Sequence, residues 1–270
     1  MNESLHTLPD DTKLNILKWH VEDAKAHLLL VHGYAEHAGR YDDFAKYLNS
    51  RAISVTAYDQ RGYGKSDGAR AYIQRFHQYI LDLKEVRSTI SEQVFLMGHS
   101  MGGLVVVEYA LTQGDEDILG LISSSGALEL DPNLSPILQR LAPILGALFP
   151  KLKTEKLDKT YLTRSPAVKE AYMADPLNYL EGTRARTGAE MLKAIKRNSG
   201  IFKKISLPLL VLHGDGDRLT MPGGSKKLHR DASSKDKTLH LYPGLYHELI
   251  HEPEKDQVMK DIGDWINERQ

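Results

Sequence analysis

A serine flanked by two glycines is the best-placed nucleophile in this chain. The motif Gly98-His-Ser-Met-Gly102 directly follows the apolar run Val94 to Met97 and directly precedes a helix-like run, Gly103 to Ala110. A G-x-S-x-G motif between a strand and a helix forms a sharp turn that exposes the serine, because small neighbours let the turn close. Free N–H groups at the start of that helix favour a developing oxyanion. We therefore predict that Ser100 is the nucleophile of a serine hydrolase.

A serine hydroxyl needs a base to accept its proton and a carboxylate to fix the tautomer of that base. In the fold that presents a serine in this way, the acid and then the histidine follow it along the chain. Two acids, Asp215 and Asp217, follow the strand-like run Leu209 to Leu212, and His247 lies in a glycine-containing loop after the next run. We predict Asp217 as the acid and His247 as the base. Asp217 is preferred because a residue farther from the strand end can fold back toward the histidine, and Asp215 is the alternative.

Two backbone N–H groups are candidates for the oxyanion hole. One belongs to Met101, which directly follows the nucleophile. The other is expected in the loop after an earlier strand, and the run Leu28 to Val31 leads into His32-Gly33-Tyr34. We predict the N–H groups of Tyr34 and Met101 as the two donors. Only the backbone matters for this role, so the side chain of Tyr34 is free to form part of a cleft wall.

Three further motifs suggest other chemistry, which the surrounding sequence does not favour. His247 to His251 matches the zinc-protease pattern H-E-x-x-H, but Pro243 and Pro253 leave no room for the long helix that carries such a pair. Gly62 to Gly68 lacks the glycine spacing of a dinucleotide or phosphate loop. Asp215 to Asp217 lacks the remainder of a calcium loop. We therefore expect no metal and no cofactor.

The elements that must position these residues alternate along the chain. Short apolar runs typical of buried parallel strands are Leu28 to Val31, Ile53 to Tyr58, Val94 to Met97, Ile118 to Ile122, Leu209 to Leu212 and Thr238 to Leu241. Stretches with helical spacing are Tyr41 to Leu48, Phe76 to Ile90, Leu104 to Leu111, Gly224 to Leu228 and Glu254 to Ile266. This alternation predicts an α/β fold with a mostly parallel central sheet flanked by helices. We also predict an antiparallel hairpin at one edge, formed by Lys13 to His20 and Ala26 to Val31.

The alternation stops between Ala127 and about Arg197, where no strand-like run appears. Leu134 to Phe149 and Ala185 to Ile195 read as helical instead. We predict that residues 127–197 form a helical cap inserted into an α/β core made of residues 1–126 and 198–270. The cap suits an amphipathic lid over an apolar cleft, and packing against the core alone is the alternative.

Composition excludes several classes of protein. The chain of 270 residues has a formal net charge of −1, so no global field would draw it to nucleic acid. It has no cysteine, and therefore no disulfide or thiol nucleophile. Its N-terminus lacks the apolar core of a signal peptide, and no run reaches the ~18 apolar residues of a membrane span. We expect a cytoplasmic protein that can contact membranes or micelles transiently through the cap, in an oligomeric state that the sequence leaves open.

Taken together, these motifs resemble the monoacylglycerol lipase family of the α/β-hydrolases. The resemblance runs nearly end to end, on blocks at His32 to Tyr41, Asp59 to Gly68, Gly98 to Gly103, Gly214 to Arg218 and Tyr246 to Leu249. It implies the same triad and oxyanion hole. It also implies that Glu36 and Arg40, beside the first oxyanion loop, and Tyr172 of the cap contact the substrate head group. The alternative is that Glu36 and Arg40 pair to hold the loop.

The resemblance implies hydrolysis of monoacylglycerol, a small lipid ester, to glycerol and fatty acid through an acyl-enzyme. A lysophospholipase or a broad carboxylesterase would use the same triad, so both are kept as alternatives. A non-catalytic binding protein on the same fold is a more distant alternative, because such proteins typically lose a member of the triad. Many relatives carry a small residue where Tyr34 stands and often Asn where His251 stands, and the cap is the least similar part.

Overall fold

One eight-stranded sheet organises the chain in the computed structural model, which describes residues 1–114 and 116–270, without the side chain of Leu138. The strands are β1 (Asn2–Thr7), β2 (Lys13–Trp19), β3 (Ala26–Val31), β4 (Ile53–Tyr58), β5 (Val94–His99), β6 (Ile118–Ser124), β7 (Leu209–Gly214) and β8 (Lys237–Tyr242). Their order across the sheet is β1-β2-β4-β3-β5-β6-β7-β8. From β4 through β8 neighbouring strands are parallel. The predicted α/β-hydrolase fold is therefore confirmed.

Helices cover both faces of this sheet. They are α1 (Asp42–Asn49), α2 (His77–Ser88), α3 (Met101–Thr112), α4 (Pro136–Leu148), α5 (Pro166–Ala174), α6 (Ala185–Ser199), α7 (Pro222–Asp231) and α8 (Lys255–Asn267). In β3, Leu29 and Val31 belong to a core cluster that includes side chains of α2, α3 and α7, whereas Leu28 and Leu30 belong to a second cluster with side chains of α1 and α8. This alternation explains the continuous apolar run of β3, because both faces of the strand are buried.

The predicted hairpin is wrong. Strand β2 pairs antiparallel with β1 and β4, whereas β3 lies inside the sheet, parallel to both β4 and β5. The fully apolar run Leu28 to Val31 needs a neighbour on each side and helices on both faces, which an edge position cannot provide. Strand β1 takes the edge, and its largely exposed residues gave no apolar signal in the sequence.

The chain between β6 and β7, which we name the β6–β7 segment (residues 125–208), carries α4, α5 and α6. Helices α4 and α6 approach closely: a side chain at Gly146 would place its Cβ atom 3.0 Å from the Cβ atom of Ala189. The helices predicted in this segment are confirmed, but α5 was missed because it is short and lacks a clear apolar stripe. The division into core and cap stays a prediction. Nowhere in residues 1–114 or 116–270 does the fold contain a helix suited to crossing a bilayer.

Candidate active site

Ser100 lies on a strained turn between β5 and α3. Its φ of 54° and ψ of −118° fall in a region of backbone conformation that residues other than glycine rarely adopt. The flanking glycines are required by contact: a Cβ atom at Gly98 would lie 2.1 Å from the carbonyl oxygen of Gly102, and a Cβ atom at Gly102 would lie 2.2 Å from that of Val31. The turn therefore holds Ser100 directly at the start of α3, where free N–H groups lie.

Asp217 and His247 come together from loops after adjacent strands, β7 and β8. The Nδ1 atom of His247 lies 2.7 Å from Oδ2 of Asp217. The backbone N–H groups of Leu219 and Thr220 donate to Oδ1 of Asp217 at 2.7 and 3.1 Å and fix the carboxylate. Asp215 instead accepts a hydrogen bond from the N–H of Gly244 at 2.6 Å, which joins the loop after β7 to the loop after β8. The structure thus brings Asp217, and not Asp215, to the histidine.

The electrostatics of this pair suit a general base. Burial alone would raise the pKa of Asp217, but the charge of His247 and the hydrogen bonds from His213 and His247 outweigh it and hold that pKa well below its ordinary value. Burial alone would lower the pKa of His247, but the neighbouring carboxylate of Asp217 raises it overall. Asp217 is therefore ionised at neutral pH, and His247 is a stronger base than an isolated imidazole.

A second histidine reaches the same carboxylate. The Nε2 atom of His213 lies 3.1 Å from Oδ2 of Asp217, and its Nδ1 atom lies 2.7 Å from the hydroxyl of Ser225. His213 is fully buried at the end of β7. The sequence gave His213 only as part of the strand end, so its contact with Asp217 was missed.

Ser100 and His247 line the same cavity. The His247 ring packs against that of His99, with the ring centroids 4.7 Å apart. Within the described ranges, no hydrogen bond joins the Ser100 hydroxyl to His247. Such bonds are often long in an enzyme without substrate and shorten in the complex, so this geometry is compatible with proton transfer.

The loop after β3 lies directly against the nucleophile. A Cβ atom at Gly33 would be 3.1 Å from Cβ of Ser100, so glycine allows the loop to approach this closely. The N–H of Gly33 donates to Oε1 of Glu36 at 2.6 Å, and Tyr34 follows it on the cavity wall. Met101 is the first residue of α3, and its N–H lies at the helix N-terminus. Met101 thus directly follows Ser100, and Tyr34 belongs to the loop that approaches it; the role of their N–H groups stays a prediction.

Glu36, Arg40 and Tyr172 meet behind this loop. Arg40 donates through Nη1 to Oε2 of Glu36 at 2.6 Å. Arg40 also donates from both terminal nitrogens to Glu248, at 2.7 Å each. The Tyr172 hydroxyl donates to the carbonyl oxygen of Ala35 at 2.7 Å, and the guanidinium of Arg40 lies over the Tyr172 ring. Glu36 and Glu248 line the cavity, whereas Arg40 and Tyr172 pack behind its wall. The Glu36–Arg40 pair favours the loop-holding alternative for these two residues, and substrate contact by Glu36, Arg40 and Tyr172 stays a prediction.

The H-E-x-x-H residues point to separate partners. His247 contacts Asp217, and Glu248 contacts Arg40. His251 lies 3.1 Å through Nε2 from the carbonyl oxygen of Arg40. The motif ends in a three-residue 3-10 turn, Leu249–His251, so the expected lack of a long helix is confirmed. Glu248 was missed as a site residue because the sequence argument considered it only as the base of a zinc protease.

The cavity has a volume of about 480 Å³ and two kinds of wall. Glu36, Ser100, His247 and Glu248 form what we name the polar wall. The β6–β7 segment provides apolar side chains, among them Leu130, Leu134, Leu145, Leu157, Met191 and Leu192. An acyl chain can therefore be enclosed while its ester group lies against Ser100.

The chain is similar to known proteins in both sequence and structure. Residues 22–254 match the family model described as serine aminopeptidase, S33. A monoacylglycerol lipase of Mycolicibacterium smegmatis is 34% identical over 90% of this chain and 89% of its own length. A phospholipase of Bacillus subtilis is 32% identical over 90% of this chain and 95% of its own. The crystal structure of Paleococcus ferrophilus monoacylglycerol lipase superposes with a TM-score of 0.88 at 32% identity, covering 95% of this chain and 99% of that one.

Proposed function

We propose that this chain, which belongs to the monoacylglycerol lipase family of the α/β-hydrolases as its motifs predicted, hydrolyses monoacylglycerols to glycerol and a free fatty acid. One observation carries the proposal. Ser100, on a strained turn, shares a mainly apolar cavity with His247, which is hydrogen-bonded to an ionised Asp217. Such a cavity fits one acyl chain, an ester group and a small polar head group.

The proposed reaction passes through an acyl-enzyme. His247 accepts the proton of Ser100 as the serine oxygen attacks the ester carbonyl carbon, and the N–H groups of Tyr34 and Met101 stabilise the resulting oxyanion. When the carbon–oxygen bond to glycerol breaks, His247 returns the proton to the leaving glycerol oxygen. A water molecule, deprotonated by His247, then attacks the acyl carbonyl carbon. The bond from this carbon to Ser100 Oγ breaks, His247 returns the proton to Ser100, and the fatty acid is released. Asp217 stays ionised throughout and stabilises the imidazolium.

The β6–β7 segment is proposed to bind the acyl chain, as a cap over the core. Its leucine and methionine side chains remove methylene groups from water, which stabilises the bound chain by about 0.8 kcal/mol for each buried methylene. The value of kcat/KM is then expected to rise with chain length until the cavity is full. A triacylglycerol carries two further chains that a cavity of about 480 Å³ cannot enclose, and it should be a poor substrate.

Helix α4 exposes an apolar row that suits contact with a lipid surface. The row consists of Ile137, Leu141, Ile144 and Leu148, of which Ile137 and Leu148 are more than two thirds exposed. Their spacing places them along one side of the helix. Exposed Lys151 and Lys156 follow, and such cations attract anionic lipid. We therefore propose that the cap docks transiently on membranes or micelles, close to the cavity that its other side lines.

Vesicle co-sedimentation tests this docking. Ile144→Asp should lower binding to vesicles of phosphatidylcholine with phosphatidylglycerol, because it places a charge within the apolar row. Leu81→Asp is the matched control, since Leu81 is an exposed apolar residue of α2 outside the row. Equal vesicle binding by both variants would contradict the docking proposal.

A substrate series tests the function itself. Purified protein should be assayed on mono-, di- and triacylglycerols, lysophospholipids and nitrophenyl esters of the same acyl chain. The proposal predicts the highest kcat/KM for monoacylglycerol among the natural lipids. The Bacillus subtilis relative favours lysophospholipase as the second candidate, and highest turnover of lysophospholipid would support it instead.

A further inference from the structure

The polar wall carries two buried carboxylates for one guanidinium. Glu36 and Glu248 both line the cavity and are almost inaccessible to solvent, and Arg40 lies between them. We infer that the uncompensated carboxylate charge of Glu36 and Glu248 excludes phosphate-bearing head groups from this cavity, with Glu248 as the residue that sets this specificity. The inference rests on the proposed function and specifies the head group.

Both carboxyl groups are ionised at neutral pH. Burial alone would raise the pKa of Glu36, but the charge of Arg40 outweighs it and lowers that pKa to about 2. Burial acts in the same direction on Glu248, and the charge and two hydrogen bonds of Arg40 lower its pKa well below the ordinary value. Two negative charges and one positive charge leave an excess of one negative charge, to which ionised Asp217 adds another.

The ring of His99, which packs against His247 beside the polar wall, does not cancel this excess. Burial and the nearby His247 lower the pKa of His99 to about 4, so its ring is neutral. The Nδ1 atom of His251 lies 3.3 Å from Oε2 of Glu248. The experiments below are set at pH 8, above the ordinary pKa of histidine of about 6.5.

The hydrogen-bonding groups of the polar wall also favour a neutral glycerol head group over a phosphate. The carboxylate oxygens of Glu36 and Glu248 accept hydrogen bonds and donate none. Both terminal nitrogens of Arg40 are already engaged by these carboxylates. A glycerol hydroxyl can donate to such a wall. A phosphate carries roughly −1.5 to −2 charges and offers mainly acceptor oxygens, so at the polar wall it meets repulsion and finds no free donor on Arg40. Arg218 also lines the cavity, but it is exposed, lies outside the polar wall and packs over the ring of Tyr161.

Two substrates with one acyl chain isolate the head group. The kcat/KM values of 1-decanoylglycerol and 1-decanoylglycerol 3-phosphate should be measured at pH 8 for the unaltered protein and for Glu248→Gln. We expect a strong preference for the neutral substrate, reduced about tenfold or more in Glu248→Gln, because like charges juxtaposed in a buried site are costly. The ratio of the two values cancels any general loss of catalytic efficiency, which both substrates share.

Glu252→Gln is the matched control. Glu252 is a buried carboxylate of the same loop that pairs with Arg164 and lies outside the cavity wall. Its variant should keep the preference of the unaltered protein. An equal drop of the preference in both variants would mean that general loosening of the loop, and not charge at the wall, sets the ratio.

One further measurement uses only the unaltered protein, so the inference can be tested even if the Glu248→Gln variant does not fold. Glycerol and glycerol 3-phosphate should be compared, at equal concentration and constant ionic strength, as inhibitors of nitrophenyl decanoate hydrolysis by the unaltered protein. We expect glycerol to inhibit more strongly, and stronger inhibition by glycerol 3-phosphate would overturn charge exclusion. An unchanged substrate preference in active Glu248→Gln would overturn it too. If nitrophenyl decanoate is hydrolysed but decanoylglycerol is not, the proposed function itself fails, and the inference with it.

Discussion

Asp217 reaches His247 with a 2.7 Å contact, although Asp215, two residues earlier in the same turn, points away to the N–H of Gly244. The same substitution, Asp to Asn, is therefore expected to have a large effect on kcat at position 217 and a small effect at position 215. Asp217→Asn should lower kcat on the order of 10⁴-fold, because the amide no longer holds His247 in the tautomer that accepts the serine proton. Asp215→Asn should lower it by less than about tenfold, since it alters only a loop contact. Nitrophenyl ester assays check both, and a large loss confined to the Asp215 variant would show that the acid is misassigned.

The raised pKa of His247 predicts the acidic limb of the pH profile. The ring must be neutral to accept the Ser100 proton, so activity rises with pH as His247 loses its own proton. Because Asp217 stabilises the protonated ring, the limb should lie above the ordinary histidine value of about 6.5. The measurement is kcat/KM of a neutral nitrophenyl ester against pH, which reports the free enzyme. A limb well below that value would contradict the assigned ion pair.

The turn at Ser100 is so closely packed that adding one methyl group to Gly102 should destabilise the protein. Gly102→Ala would place Cβ 2.2 Å from the carbonyl oxygen of Val31, which belongs to the central strand β3 and cannot move cheaply. We expect a loss of about 1–3 kcal/mol in unfolding free energy, together with loss of activity. Gly188→Ala, in α6 with its nearest contact at 3.5 Å, is the control and should be neutral or stabilising. Similar urea midpoints for both variants would contradict this packing.

Tyr172 is expected to act through the oxyanion loop. Its hydroxyl holds the Ala35 carbonyl, one residue after Tyr34, and lies behind the cavity wall. Tyr172→Phe should therefore lower kcat/KM about fivefold through the loss of one buried hydrogen bond, equally for decanoylglycerol and nitrophenyl decanoate. A loss confined to decanoylglycerol would instead support direct contact between Tyr172 and the glycerol head group.

Sequence analysis found the site residues that are marked by a pattern in the neighbouring sequence. Ser100, Asp217 and His247 each follow a strand-like run in a glycine-containing turn, and the structure brings the last two into contact. Glu248 escaped notice because its importance arises from a distant partner: the guanidinium that binds it lies 208 positions away along the chain. His213 lies only four positions from Asp217, but the sequence pattern does not show that its buried ring turns toward that carboxylate. The predicted pairing of β2 with β3 failed for a related reason, since β4 lies between these two strands and β3 takes a central place in the sheet.

Turnover of decanoylglycerol by the unaltered protein and by Ser100→Ala tests the central claim most directly. Fatty acid release should be titrated alongside labelling by a fluorophosphonate, which reacts with an activated serine. We predict ready hydrolysis and stoichiometric labelling of the unaltered protein. For Ser100→Ala, labelling should be absent and kcat should fall on the order of 10⁴-fold or more, because the triad acts as a unit. Persistent labelling of Ser100→Ala, or an unaltered protein that hydrolyses nitrophenyl esters but leaves decanoylglycerol intact, would contradict this account.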